Sequence, residues 1–217
     1  MQTIAIVDYG MGNVRSVQKA LEYVAPNDEC ILTNDPKVIR DSDRVVFPGQ
    51  GAMGSCMRAL ESNDLISEIK LSSESKPFLG ICLGLQLLFG YSEENNGTNG
   101  LSIVPGDVIK FNNKDLKIPH MGWNNVNQVK NHPLWYKIDN NSRFYSVHSY
   151  YVNPTDTSCV VGATEYGQLF ASAIAIDKIF AVQFHPEKSQ SDGLQLLRNF
   201  VEWAYFMSVI SGVNLGC

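Results

Sequence analysis

The chain lacks the features that mark membrane proteins and nucleic-acid-binding proteins. No apolar run approaches the roughly 20 residues that a membrane-spanning helix needs. The first ten residues, "MQTIAIVDYG", carry no basic cluster of the kind that opens a secretion signal. The 17 Lys and Arg are outnumbered by 22 Asp and Glu, and the net charge of −5 argues against a nucleic-acid surface. We therefore expect a protein of the reducing cytoplasm.

Cysteines are too few and too scattered to hold the fold together. They are five, an odd number, and no two of them stand in a C-x-x-C spacing. This pattern argues against a disulfide framework and against a thiolate zinc site. A chain of 217 residues buries roughly 70% of its unfolded surface and needs neither. We expect one domain over residues 1–217.

The first half of the chain alternates between strand and helix patterns. The runs "TIAIVDYG", "DRVVFPG" and "PFLGIC" predict strands, and "NVRSVQKALEYV", Ser55–Lys70 and Leu83–Glu94 predict helices. Strands separated by helices form a parallel sheet with helices on both faces. Ligands of such sheets bind beyond the carboxyl ends of the strands. Gly10, Gly49 and Cys82 all fall at such ends.

The second half of the chain has a different pattern. Residues Glu94–Val108 predict a loop. Short segments broken by Gly, Pro and Asn follow, among them "KIPHMGWNNV", "SRFYSVHSYYVNP", "FASAIAID" and "KIFAVQFHPE". The last segment, "SDGLQLLRNFVEWAYF", predicts a closing helix. The predicted fold class is therefore α/β, with a mostly parallel central sheet, helices on both faces and an additional mixed or antiparallel strand region.

The stretch "KPFLGICLGLQLLFG" places Cys82 between a strand and a helix. Gly80 and Gly84 flank it, as in the G-x-S-x-G nucleophile elbow with sulfur in place of oxygen. The glycines let strand and helix approach closely, and the start of the helix favours the reactive thiolate. The N–H of Leu83 is placed to bind a developing oxyanion. A buried structural cysteine is the alternative, but it would need neither glycine.

The stretch "AVQFHPEKS" places His185 and Glu187 at the end of a strand. A thiolate catalyst needs a base and a group that orients the base. On a continuing strand these two residues would point to the same side, and Pro186 would stiffen the pair. The same H-x-E occurs in zinc deaminases, but the P-C-x-x-C of those enzymes is missing. A lone strand-end histidine is the third interpretation. Together with Cys82 the pair forms a candidate triad.

A glycine-rich stretch, Gly49–Gly54, follows the second predicted strand. "GQGAMG" matches the dinucleotide pattern G-x-G-x-x-G, but the following strand ends in Cys82 where that pattern requires Asp or Glu. We favour a flexible turn, "PGQG", whose peptide N–H at Gln50 supplies a second oxyanion donor.

His120 and His148 lie in aromatic segments and are interpreted as structural histidines, and His132 as a turn residue.

The motifs "PGQG", "GICLGLQ" and "FHPE", in this order, resemble the class I glutamine amidotransferases. "DYGMGN", "PHMGWN" and "YSVHSYY" narrow the resemblance to the branch of that family that serves histidine biosynthesis, from about Ile4 to Trp203. The resemblance implies a flavodoxin-like fold without cofactor or metal. It implies that Cys82, His185 and Glu187 hydrolyse glutamine to glutamate and ammonia.

The resemblance also implies particular contacts with the substrate and with a partner. The N–H groups of Leu83 and Gln50 would bind the oxyanion. The glutamine contacts would be Gly51, Gln86, Ser149 and Tyr150. The ammonia would pass, within a heterodimer, to a (βα)8-barrel synthase subunit of the HisF type, which makes imidazole glycerol phosphate and aminoimidazole carboxamide ribotide. The positions that match the family's partner interface are Asn13, Trp123, Tyr145 and Lys188.

Two departures and two alternatives remain at this point. Gln50 is larger than the small apolar residue common in the family, and only its backbone is expected to act. Residues 205–217 extend past the family's usual final helix.

One alternative is a class I amidotransferase that serves an anthranilate-type or sugar-modifying synthase. The other is a non-catalytic interaction subunit of the same fold, against which the intact triad argues.

Overall fold

The computed structural model describes residues 1–112 and 116–212, with side chains described up to residue 203. In these residues the strands are β1 (Thr3–Val7), β2 (Glu29–Thr33), β3 (Arg44–Gly49), β4 (Phe78–Cys82), β5 (Phe89–Ser92), β6 (Thr98–Asn99), β7 (Val104–Lys110), β8 (His120–Asn125), β9 (Asn127–Gln128), β10 (Arg143–His148), β11 (Tyr150–Pro154), β12 (Val160–Glu165), β13 (Leu169–Ile176) and β14 (Ile179–Val182). The α-helices are α1 (Val14–Val24), α2 (Pro36–Asp41), α3 (Met53–Ser62), α4 (Ile66–Ser75), α5 (Leu83–Leu87) and α6 (Gln190–Gly212).

Most of the described strands belong to one mixed sheet. Its order is β2-β1-β3-β4-β14-β13-β11-β7-β5-β6, and β12 and β9 are attached beside β13. The strands from β2 to β14 are parallel, whereas β13, β11 and β7 continue the sheet in antiparallel pairs. Strands β8 and β10 form a separate antiparallel pair. The predicted α/β class, with its additional antiparallel region, is confirmed.

Apolar side chains on both faces of the parallel strands build two cores. Successive residues of a strand point to opposite faces, so Ile4 and Ile6 join one core and Ala5 and Val7 join the other. Helices α1 and α6 cover the first core, and helices α3, α4 and α5 cover the second. Their contributions are Val17, Leu21, Leu197 and Phe200 on the first face and Met53, Leu60, Ile69 and Leu85 on the second.

Helix α6 closes the fold against the first core. The buried side chain of Asn199 donates hydrogen bonds to the carbonyl oxygens of Leu134, at 2.9 Å, and Tyr136, at 2.7 Å. These bonds join the helix to the segment between β9 and β10. Of the expected extension, residues 205–212 continue α6, and 213–217 lie outside the described residues. Among the helices described, none has both the length and the apolar character that crossing a membrane requires.

The segment Ser55–Lys70, predicted as one helix, is divided between two. Asp64 adopts a left-handed φ of 55°, a conformation that ends a helix, and the N–H of Leu65 bonds back to the carbonyl of Leu60 at 3.0 Å. Helix α4 then starts at Ile66. Strand β2 was not predicted either, because its sequence, "ECILT", is short and alternates poorly. Helix α2 has only six residues and was also not predicted. These errors leave the predicted layers unchanged.

The prediction of one helix over Leu83–Glu94 is wrong in its second half. Helix α5 has only five residues, and strand β5 follows it directly. The N–H of Val104 donates to the carbonyl of Leu88 at 2.9 Å, and β5 pairs in parallel with β7. The segment Glu94–Val108, predicted as a loop, thus holds β6 and the start of β7. Pairing with residues distant in sequence overrides the local helical pattern here.

Candidate active site

Cys82 lies at a sharp turn between β4 and α5. Its backbone φ is 56° and its ψ is −111°, in a region that residues with a side chain rarely adopt. Such a conformation costs about 1–3 kcal/mol and persists only where the surrounding structure imposes it. The strain is therefore concentrated at the one cysteine that the sequence selects as a nucleophile.

The glycines that flank Cys82 allow the close approach that the elbow requires. Gly80 faces the next parallel strand, where an added Cβ would lie 2.9 Å from the Cβ of Ala181. Gly84 lies directly against the backbone carbonyl of Phe47 on β3. A side chain at either position would push α5 or β14 away from the sheet. The close approach expected from the sequence is confirmed at both glycines.

His185 and Glu187 are brought together by a turn rather than by a strand. Strand β14 ends at Val182, and His185 precedes a short 3-10 turn, Pro186–Lys188. The expectation that the pair shares a continuing strand is therefore wrong, because Pro186 turns the chain. The turn still places Nδ1 of His185 2.8 Å from Oε1 of Glu187. Both side chains are buried.

The other ring nitrogen of His185 is free to act. Its Nε2 is buried and has no hydrogen-bond partner among the described atoms. Burial lowers the pKa of His185, but the thiolate of Cys82 and the carboxylate of Glu187 outweigh it and raise the pKa to about 10. At neutral pH the ring is therefore an imidazolium beside the sulfur of Cys82, placed to donate a proton after nucleophilic attack.

A cavity of about 250 Å³ opens beside Cys82 and His185. It is smaller than the roughly 300–1,000 Å³ of sites for drug-sized ligands, so it suits a small molecule such as an amino acid. Its wall includes all the residues expected to bind the oxyanion or glutamine: Leu83, Gln50, Gly51, Gln86, Ser149 and Tyr150. Within residues 1–112 and 116–212, no three His, Cys, Asp or Glu side chains stand close enough to hold a metal ion.

Comparison with known proteins identifies the family. The profile of the family described as "Glutamine amidotransferase class-I" matches residues 5–203. The chain belongs to this family. The amidotransferase is 53% identical over 212 residues to the "Imidazole glycerol phosphate synthase subunit HisH" of Aromatoleum aromaticum, covering 94% of this chain and 100% of that protein. It is 55% identical over 205 residues to the protein of the same name from Nitrosococcus oceani, covering 94% and 98% of the two chains.

The fold has relatives among solved structures as well. The glutaminase domain of Trypanosoma brucei CTPS, solved with bound acivicin, superposes with a TM-score of 0.65 at 19% identity. The match covers 95% of this amidotransferase and 94% of that chain. At 19% identity this similarity shows only that the two proteins share a fold.

Two buried histidines support one wall of the amidotransferase cavity. Nδ1 of His148 lies 2.7 Å from the carbonyl oxygen of Tyr150, and its Nε2 lies 2.9 Å from Nδ1 of His120. A carbonyl only accepts, so His148 carries its proton on Nδ1 and accepts from His120 at Nε2. Burial lowers the pKa of His120, and it lowers that of His148 to about 3. Both rings are therefore neutral and hold Tyr150 in place.

The sequence did not reveal two polar residues of the site. Glu94 lies on the cavity wall, and its Oε2 accepts from the N–H of Met53 at 2.7 Å. No local pattern marks it, because it lies in a short 3-10 turn after β5, in a segment predicted as a loop. Gln183 is buried and its Nε2 lies 3.9 Å from the sulfur of Cys82. It directly follows the last residue of β14, so only the register of β14 beside β4 places it next to Cys82.

The four residues expected at a partner interface lie on the His185 side of the site. Trp123 and Tyr145 pair across β8 and β10, with ring centroids 6.2 Å apart, and Trp123 is 38% exposed. Lys188 directly follows Glu187 in the 3-10 turn. Asn13 lines a small cavity together with His185, Glu187 and Gln50.

The side chain of Gln50 makes a contact that was not expected. Its Oε1 accepts a hydrogen bond from the N–H of Asn13 at 3.2 Å. The backbone of Gln50 remains the predicted oxyanion donor, and the side chain has a separate, structural contact. The carboxamide joins the turn beside Cys82 to the loop that follows β1.

Proposed function

We propose that this amidotransferase is the glutaminase subunit of an imidazole glycerol phosphate synthase. As a single domain of the cytoplasm, it would hydrolyse L-glutamine to glutamate and ammonia. It would deliver the ammonia to a HisF-type (βα)8-barrel subunit in a heterodimer of the histidine pathway. The observation that carries the proposal is a strained cysteine and a buried His185–Glu187 pair on one amino-acid-sized cavity. The names of relatives more than 50% identical support the pathway.

The geometry supports a thioester mechanism. The thiolate of Cys82 attacks the δ-carboxamide carbon of glutamine, and the N–H groups of Leu83 and Gln50 bind the oxygen that becomes negative. His185, charged at neutral pH, gives its proton to the NH2 group of the tetrahedral intermediate, whose C–N bond breaks to release ammonia and leave the thioester. The neutral ring then takes a proton from water, which attacks the thioester and releases glutamate. Glu187 keeps Nδ1 protonated and orients the ring throughout.

Glu94 adds a recognition element for the amino-acid end of the substrate. Its carboxylate lies on the cavity wall, and one oxygen is already bonded to the N–H of Met53. An α-ammonium group is the natural partner for the other oxygen, because a charge-assisted hydrogen bond is stronger than a neutral one. In the proposal, Gly51, Gln86, Ser149 and Tyr150 make the remaining contacts with glutamine.

The product explains why a partner subunit is required. Ammonia released into water is protonated and loses its nucleophilic lone pair, so it must reach the acceptor through a closed route. The proposed docking residues Trp123, Tyr145, Lys188 and Asn13 surround the His185 side of the site, next to the place where ammonia leaves. We propose that the barrel subunit covers this face.

A reconstitution experiment tests the function. Glutamate release is measured for the chain alone, with a HisF-type barrel subunit, and with the barrel subunit and its ribonucleotide substrate. We expect strong stimulation by the complete mixture and loss of glutamate release in Cys82→Ser, with Cys56→Ser as the matched control. Stimulation by an anthranilate-type synthase instead would assign the chain to the first alternative. No hydrolysis under any condition would leave a non-catalytic subunit.

A further inference from the structure

Gln183 is a buried carboxamide beside the catalytic sulfur. Strands β14 and β4 are parallel with Val182 opposite Ile81, so the next residue, Gln183, stands beside Cys82. Only 1% of Gln183 is exposed. A polar group buried without partners destabilises a fold, so both ends of this side chain require partners. Those partners are Gln86 and Cys82, two residues of the proposed glutaminase site.

The oxygen of Gln183 orients a second carboxamide. Its Oε1 accepts from Nε2 of Gln86 at 3.0 Å, and the same nitrogen donates to the carbonyl of Tyr150 at 3.0 Å. A carboxamide nitrogen carries two hydrogens, so both are used. The oxygen of Gln86 is therefore its remaining polar atom, and Gln86 lies on the wall of the cavity. Gln183 thus fixes which atom of Gln86 is left to accept from a ligand.

The nitrogen of Gln183 points to Cys82. Nε2 lies 3.9 Å from Sγ, which is a long but suitable separation for a sulfur acceptor. A hydrogen bond to a charged acceptor is stronger than one to a neutral acceptor, so this N–H favours the thiolate. A carboxamide does not titrate and therefore cannot protonate the sulfur.

We propose that Gln183 is a positioning residue of the glutaminase site. It holds Gln86 as an acceptor toward the substrate, and it donates an N–H to the sulfur of Cys82. The inference rests on the proposed function and adds a residue to that same site.

Two substitutions separate the two contacts. Gln183→Met keeps the size of the side chain and removes both hydrogen bonds, so KM for glutamine rises and kcat falls, each by about 10-fold, the order of one lost hydrogen bond. Gln183→Glu keeps an oxygen for Gln86, so its KM stays within about 2-fold of wild type. Its carboxyl supplies a donor to the sulfur only while it is protonated.

The pH profile of Gln183→Glu therefore differs from that of wild type. As pH rises, the carboxyl ionises beside the thiolate, and kcat falls with a new descending limb. The titratable groups around the position are Cys82, His185 with its partner Glu187, and His148 and Glu94 on the cavity wall. All of them are present in wild type, so the wild-type profile measured in parallel contains their contributions.

The experiment measures glutamine hydrolysis by the complex with the barrel subunit from pH 6 to 9, for wild type and both variants. Gln195→Met is the matched control, because the amide of Gln195 bonds to Asn199 on α6 at 2.8 Å, away from the site. Thermal melting of each variant is recorded alongside. We expect the control to keep the kinetic constants and the pH profile of wild type.

Each outcome supports or overturns the inference. An active wild type whose kcat, KM and pH profile are matched by both Gln183 variants overturns it and leaves the proposed function intact. Melting temperatures that fall without a kinetic change overturn it as well, since the residue would then be structural only. Where Gln183→Met does not fold, Gln183→Glu decides by its pH profile alone. A wild-type complex without glutaminase activity overturns the proposed function itself.

Discussion

The α-carbon of Gly84 packs against the carbonyl oxygen of Phe47, so closely that an added Cβ would overlap that oxygen. The contact is between two backbones and cannot be relieved by rotating a side chain. It sets how near helix α5 stands to strand β3, and thereby where Leu83 and Cys82 stand.

Gly84→Ala is therefore expected to destabilise the protein and to abolish turnover. Overpacking costs about 1–3 kcal/mol, and occasionally more where backbone must move. Gly90→Ala is the matched control, since a Cβ there would meet its nearest neighbour, the hydroxyl of Ser102, at 3.5 Å. Chemical denaturation gives the free energy of unfolding of each. Equal stability and activity in the two variants would contradict the role assigned to Gly84.

Cys82 is expected to be the residue that a glutamine analogue with an electrophilic group modifies. Burial raises the pKa of Cys30 to about 11 and raises the pKa values of Cys56 and Cys159, so these thiols stay protonated and unreactive at neutral pH. Peptide mapping by mass spectrometry identifies the labelled site, with Cys82→Ser as the blank. A label on Cys56 or Cys159 would refute the assignment.

His148 is expected to make the fold sensitive to acid. Its pKa is about 3 in the folded chain and about 6.5 when unfolded, so between these values the unfolded chain binds more protons. Stability therefore falls as pH falls below about 6.5, by at most about 1.4 kcal/mol per pH unit. Burial also lowers the pKa of His132, to about 4, so His132 adds a further loss of stability as pH falls.

The variant His148→Gln tests this contribution. A glutamine can donate to Tyr150 and accept from His120 without titrating, so unfolding measured at pH 7.5, 6 and 5 should show a shallower slope than in wild type. An unchanged slope would mean that other groups cause the acid sensitivity.

The isolated chain is expected to hydrolyse glutamine slowly. The turn "PGQG" holds two glycines and can rest with its oxyanion N–H turned away from the cavity, so partner binding would select the competent orientation. Loss of one oxyanion donor costs on the order of 100- to 1000-fold in rate. The bond between Gln50 and Asn13 gives a route by which docking at Asn13 reaches the turn. Steady-state rates with and without the barrel subunit check this, and equal rates would refute it.

Local patterns in the sequence predict the framework of the site but not all of its wall. The position of Cys82 follows from the apolar run before it and the two glycines around it, which are local signals. Strand β5 escapes such reasoning because its identity depends on pairing with β7. Glu94 lies in the 3-10 turn that follows this strand.

The contact between His185 and Glu187 was predicted for the wrong geometric reason. Their spacing of two suggested a strand, whereas the 3-10 turn at Pro186 joins them. Gln183 was missed for a related reason, because it follows the last residue of β14. Its place beside Cys82 can be inferred only once the register of β14 and β4 is known.

The central claim is that Cys82, His185 and Glu187 produce ammonia and that a separate chain uses it. Glu187→Gln should weaken glutamine turnover through a poorly held ring, and His185→Asn should weaken it further because the proton relay is lost. Both residues lie after the last residue of β14, so the complex with the barrel subunit should still assemble.

The decisive measurement is a paired assay of each mutant complex, first with glutamine and then with ammonium salt at high pH as the nitrogen source. We expect product formation from glutamine to be lost while formation from ammonium stays at the wild-type rate, because the acceptor chemistry belongs to the other subunit. Equal loss with both nitrogen sources would contradict the claim, since these residues would then serve folding or docking rather than the release of ammonia.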